Sequence, residues 1–227
     1  MGPHACLAVL ATVGSMAPQL SDLHDFDYDC NAQHAGMIAR TMPNLQSLTI
    51  GGSLSGRFDE DALASAWEAL PGRRLTSLDF RTVVPVPRQL FKTACWPKLR
   101  YLRGILLPGE CAAALARGLP SLEALDAVLD GEWAGAGGAV FGRVRQARLQ
   151  ECCASFVEHA RISSLLPSIE RLSLSEDQGT ISTDLAGATR LTHLRLGDHD
   201  LLVNVKGQPR AWAALCTRPA CATWPSM

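Results

Sequence analysis

Four stretches of the chain share one grammar: an apolar run, a proline, and then large apolar residues spaced three apart. They read TMPNLQSLTI, CWPKLRYLRG, GLPSLEALDA and LLPSIERLSL. A proline ring cannot continue a helix and biases the residue before it toward extended backbone, so each junction marks a passage from helical to extended chain. Aligned on L-x-x-L-x-L with other apolar residues allowed, the first positions fall at Leu23, Leu45, Leu75, Leu99, Leu122, Val144, Ile169 and Leu191. The successive spacings are 22, 30, 24, 23, 22, 25 and 22 residues. Pro43, Pro97, Pro120 and Pro167 each stand two residues ahead of the first apolar position. A repeat of this length holds one short strand and one return segment, and it buries its apolar side only by stacking on its neighbours.

The pattern resembles the leucine-rich repeat family over residues 6 to 200. That resemblance implies an α/β solenoid with a curved parallel sheet on the concave face and helices or irregular turns on the convex face. It would occupy residues 1–200 in about eight repeats, with an edge strand, a short cap and a tail over 201–227. Three features depart from the family pattern. The ninth positions, Ser53, Val83, Leu107, Asp130, Cys152, Asp177 and His199, make no asparagine ladder. Gly104, Ala127 and Ala147 replace large apolar residues. The first copy admits two registers, Pro18 pointing to Leu20 and the burial of Phe26 and Tyr28 to Leu23; the Leu23 register is adopted. Apolar residues three and four apart predict convex helices over 59–70, 87–96, 109–119 and 153–166, and the glycines of DGEWAGAGGAVFG predict a loop.

Composition narrows the function classes. The chain has 227 residues, 47% of them apolar, and a net charge of -1, which disfavours nucleic-acid binding by the surface as a whole. No apolar run reaches the roughly 18 residues of a membrane span. The apolar amino-terminal run lacks a preceding Lys or Arg, as a secretory signal would require, and overlays the helical half of a repeat instead. Eight scattered cysteines without a C-x-x-C pair, and no N-x-Ser/Thr sequon, point to the cytoplasm, with the nucleus as second choice.

Chemical motifs are weak. GGAVFGRV has the glycine spacing of a phosphate loop, but Arg143 and Val144 stand where Lys and Ser/Thr are needed. Cys152 and Cys153 are too far along the chain from His159 for a nucleophile and base on one helix, seven residues being about 10 Å. His193, Asp198, His199 and Asp200 lie along one strand end and turn without converging. No catalytic residue, cofactor or metal is expected.

The third, fifth and seventh positions of each copy alternate away from the apolar ones and share one face of the sheet. Charged and aromatic residues there are Asp25, Asp27, Asp29, Asp79, Arg81, Tyr101, Arg103, Asp126, Arg148, Arg171, His193 and Arg195, and Ile105 falls on the same face. The acidic residues gather at the first copy and the basic ones at the later copies. These twelve are the expected partner-binding residues of a non-enzymatic protein-interaction module acting through a concave face, with Tyr101 and Arg103 as anchor. Two alternatives are the substrate-reading part of a ubiquitin-ligase adaptor without a visible F-box, and a cysteine-dependent enzyme. The expected partner is a protein, not nucleic acid or membrane.

Overall fold

Nearly every strand of the protein is launched by the same four-residue turn. In the computed structural model, which describes residues 3–26, 31–52, 60–87, 96–130, 140–151, 162–176, 188–196 and 203–204, the amide of the first apolar residue of a copy donates to the carbonyl three residues back. The pairs are Leu20 to Ala17, Leu45 to Met42, Leu99 to Trp96, Leu122 to Leu119, Val144 to Phe141, Ile169 to Leu166 and Leu191 to Ala188, at 3.0–3.2 Å. Pro18, Pro43, Pro97, Pro120 and Pro167 occupy the second position of five of these turns, where a fixed φ near −65° fits without strain. The third copy differs. There Leu75 donates to Pro71, four residues back, at 3.3 Å.

The described elements run α1 (Pro3–Met16), β1 (Asp22–Phe26), α2 (Ala32–Thr41), β2 (Ser47–Ile50), α3 (Glu60–Ala69), β3 (Ser77–Pro85), β4 (Tyr101–Pro108), a 3-10 turn (Gly109–Cys111), α4 (Ala112–Gly118), β5 (Ala124–Asp130), β6 (Gln146–Glu151), α5 (Ile162–Leu165), β7 (Arg171–Glu176), β8 (His193–Leu196) and β9 (Val203–Asn204). All strands belong to one sheet in the order of the chain; β1 to β8 are parallel and β9 closes the edge antiparallel to β8. Parallel neighbours require a crossover, and successive crossovers that all step the same way bring the return segments to one side of the sheet. Burial follows that rule. Leu48, Ile50, Leu78, Phe80, Leu102, Leu125, Ala147, Leu149, Leu172, Leu174 and Leu194 form a buried row, while their alternating neighbours are half-buried or exposed.

Among the described residues the covering layer includes α2 and α3. Helix α2 begins at a reciprocal cap in which the Asn31 side chain accepts from the His34 amide at 3.0 Å and His34 Nδ1 accepts from the Asn31 amide at 3.4 Å. It buries Ala35 and Ile38. Helix α3 buries Leu63, Ala66 and Trp67, and the Trp67 ring packs against Phe80 at 5.2 Å and Trp96 at 5.6 Å between centroids. Removing an aromatic group of that size from a closed core costs about 3–5 kcal/mol.

These observations correct the expected leucine-rich repeat solenoid. Among the described residues only four α-helices, of 4 to 10 residues, lie between the eight parallel strands, not one regular return per strand, and the sheet is not curled into a horseshoe. On those counts the molecule fits a Rossmann-like α/β architecture better. It differs from a doubly wound sheet in a respect that matters for function. The strand order never reverses, so there is no crevice of the kind that opens at a topological switch point, and among the described residues one face of the sheet carries no helix. Of the expected helices, 59–70 and 109–119 correspond to α3 and to the 3-10 turn with α4; of 153–166, residues 162–165 form α5 and 153–161 lie outside the described residues, as do 88–95 and residues 131–139 of the expected loop.

Two register expectations are also corrected. Leu23 pairs with Leu48, not with Leu45, and Leu20 makes the launching turn with Pro18, so the first copy starts at Leu20. Ile105 is fully buried instead of facing solvent. The pairing passes from Arg103–Asp126 directly to Ile105–Ala127, leaving Gly104 as an extra residue that turns Ile105 into the core. Gly104 has φ +75°, and a Cβ there would stand 1.9 Å from the Phe80 carbonyl oxygen. Replacing Gly104 by Ala is therefore expected to lower the unfolding free energy by about 2 kcal/mol or more, read from chemical denaturation. A loss within experimental error would mean that the bulge is not fixed as described.

Candidate functional site

The face without helices carries two in-register rows of side chains. One runs Ser47, Ser77, Tyr101, Ala124, Gln146, Arg171 and His193 from β2 to β8. The other runs Thr49, Asp79, Arg103, Asp126, Arg148, Ser173 and Arg195. His24 of β1 joins the second row through a 3.1 Å contact between its Nδ1 and Thr49 Oγ1. Neighbouring strands in such a sheet lie about 4.8 Å apart, so side chains in one row touch their neighbours directly.

In the middle of the second row the charges alternate. The Arg103 guanidinium lies between two carboxylates: its Nε donates to Asp126 Oδ2 at 3.2 Å, and its Nη1 lies 3.8 Å from Asp79 Oδ2. Arg148 follows beside Asp126 and favours its ionised form. Burial is the larger influence on Asp126 and pushes its carboxyl above the ordinary range, with Arg148 and Arg103 pulling it down and Asp79 adding to the rise. The Arg103 side chain is 59% exposed, which limits each of its ion pairs to about 0–1 kcal/mol.

This alternation ends at Arg148. Beyond it, Arg148, Arg171, His193 and Arg195 line one cleft of about 410 Å³ on β6 to β8, together with Gln146, Ser173 and Ser175. None of the described residues lining it is acidic. A second cleft of about 460 Å³ toward β1 is lined by His24, Thr49, Asp79, Phe80, Arg81 and Arg103, and there both signs are present.

The twelve residues expected from the sequence therefore divide. Asp79, Arg103 and Asp126 engage one another, and Arg81 stands beside Asp79 and Arg103 at the mixed cleft. Tyr101 is exposed on β4, two residues before Arg103. Arg148, Arg171, His193 and Arg195 come together. Asp25 lies in β1, while Asp27 and Asp29 fall outside the described residues. With Leu23 paired to Leu48, it is Asp22, paired with Ser47, and His24 that stand on this face. The sequence reading missed His24, which the Pro18 register would have supplied, and Thr192, whose role depends on a contact with the neighbouring strand.

The other motifs contribute little. Cys6 and Cys111 are buried, and burial pushes the Cys6 thiol up, away from the reactive thiolate. Cys152, Cys153 and His159 lie outside the described residues. Val144 of the phosphate-loop near miss is fully buried and leads into β6, not into a helix. Among the described residues there is no group of three metal-ligating side chains, and no helix is long and apolar enough to cross a membrane. Neither a family model nor a curated protein matches this chain. With the solenoid set aside, recognition through a curved concave face and the ligase-adaptor alternative lose the architecture they rested on.

The raised carboxyl of Asp126 has a signed consequence. A carboxyl held above its unfolded value binds protons more tightly in the folded state, so its contribution to stability falls as pH rises through the carboxylate range. Asp126→Asn is expected to be at least as stable as wild type at pH 7 relative to pH 4, with a difference of about 1 kcal/mol or less because 29% of the side chain is still exposed. Denaturation midpoints at both pH values check this. A variant that loses stability selectively at pH 7 would show that the ion pairs outweigh burial.

Proposed function

We propose that this chain is a binding protein for a compact multivalent anion, held on the uncovered sheet face by Arg148, Arg171, His193 and Arg195. The observation that carries this reading is the convergence of four basic side chains from three adjacent strands on one cleft, with no carboxylate among the described residues that line it. Guanidinium groups suit such a ligand because each presents planar, paired donors to two anionic oxygens, and charge-assisted hydrogen bonds of this kind are about twice as strong as neutral ones. Gln146, Ser173 and Ser175 add neutral donors. The cleft suits a phosphate or dicarboxylate group. A long polyanion fits less well, since Asp22, Asp79 and Asp126 occupy the rest of the face.

In place of the expected protein partner, the reading names only the chemistry of the ligand, an anion. Binding without bond chemistry is part of the reading, as is a cytoplasmic location, which the free thiol of Cys6 favours.

Calorimetric titration with inorganic phosphate and with succinate tests the proposal. Wild type should bind at least one of them, phosphate alone marking a phosphoryl site and both a general dianion site. The double reversal Arg171→Glu with Arg195→Glu should weaken that binding at least about tenfold, equal to about 1.4 kcal/mol, with an unchanged denaturation midpoint. Binding of neither anion, or equal binding by the double variant, would sink the reading.

A further inference from the structure

We infer that His193 is the specificity-determining residue of this cleft: it meets the anion as an imidazolium through Nε2, so that the site captures a dianion together with one proton. The inference rests on the anion-binding reading above, and it follows from the hydrogen-bond directions around Thr192.

The Thr192 hydroxyl lies 2.9 Å from the Glu170 carbonyl oxygen and 2.9 Å from His193 Nδ1. A hydroxyl has one proton to give, and a carbonyl can only accept. The proton of Thr192 therefore goes to Glu170, and the contact with His193 needs a proton on Nδ1, donated to the Thr192 oxygen. The Glu170 carbonyl is itself fixed by the amides of Thr192 and His193, at 2.9 and 3.1 Å, so the relay is anchored to the sheet ladder. In the neutral ring this arrangement puts the lone pair on Nε2. A lone pair repels an anionic oxygen. Protonation converts the same atom into a charged donor without moving the ring.

The charged groups around the ring fix the sign. Arg171 is its register partner on β7, Arg195 follows two residues along β8, and Arg148 stands on β6. Asn204 pairs with it from β9. The Glu170 carboxylate lies 3.8 Å from Arg145 Nε, and among the described residues no carboxylate lines the cleft itself. The ligand thus supplies the negative charge that the imidazolium meets there, and anion binding and protonation of His193 favour each other reciprocally.

The test uses sulfate, which stays a dianion across the range, so that any pH dependence belongs to the protein. Calorimetric affinity of the wild type should fall about tenfold between about pH 5.5 and pH 8.5, while His193→Gln, which keeps a neutral donor, should change less than about twofold over the same range. Nitrogen-15 spectra of the histidine ring at high pH should show the proton on Nδ1. A wild-type affinity that does not change with pH, or a ring protonated on Nε2, would overturn the role of His193 while leaving the anion site standing. Absence of sulfate binding at both pH values would overturn the site and this inference together.

Discussion

One hydrogen-bond pattern sets the position of every group considered above. At the start of each parallel strand from β2 to β8, two consecutive amides donate to a single carbonyl of the preceding copy. The accepting carbonyls belong to Ser21, Gln46, Thr76, Arg100, Glu123, Arg145 and Glu170, with distances of 2.7 to 3.2 Å. A forked contact of this kind leaves no freedom for a strand to slip by one residue, and a slip by one would exchange the buried and exposed rows. The ladder is thus what places Leu48, Leu78, Leu102, Leu125, Ala147, Leu172 and Leu194 under the helical layer and their neighbours on the uncovered face. The proline turns prepare it, because each delivers the chain to its fork with the launching amide already satisfied.

On that scaffold the electrostatics follow from residue identity alone. In-register side chains sit about 4.8 Å apart, so opposite charges along a row neutralise each other locally and like charges accumulate. Asp79, Arg103, Asp126 and Arg148 are an alternating set, and Arg103 is committed on both sides. Ser173 follows where a carboxylate would have continued the alternation, and Arg148, Arg171, His193 and Arg195 come together at the far end of the sheet. A chain with a net charge of only -1 thereby presents a locally basic cleft. Bulk charge excludes a uniformly basic surface but says nothing about rows.

The strands, their order and the turns were legible because five of the eight copies carry a proline in the launching turn and every copy carries an apolar pair three residues apart. Parity at the first copy was less legible: Phe26 and Tyr28 argued by hydrophobicity for Leu23, whereas Pro18 argued by backbone geometry for Leu20, and the geometric signal prevailed. Gly104 was read as a small residue in a thin core; its positive φ and its closeness to the Phe80 carbonyl make it a bulge, which periodicity cannot express. Repeat spacing indicated sequential strands but overstated the regularity of the segments between them, and from that regularity the solenoid was inferred. In the site, the basic residues were visible as outward positions. The engagement of Arg103 needed Asp79 and Asp126 at equal height on two strands, and the Thr192 relay needed a carbonyl from another copy.

The central claim is that the sheet ladder assembles one anion site from β6, β7 and β8. A crystal structure of the protein grown with selenate, an anomalous scatterer of the same shape and charge as sulfate, tests it most directly. The account predicts an anomalous peak within hydrogen-bonding distance of Arg171, Arg195 and His193 Nε2, with the Thr192 hydroxyl still bridging Glu170 and His193 Nδ1. A peak at another surface, or an empty cleft in which a carboxylate of the chain has paired with Arg171, would contradict it.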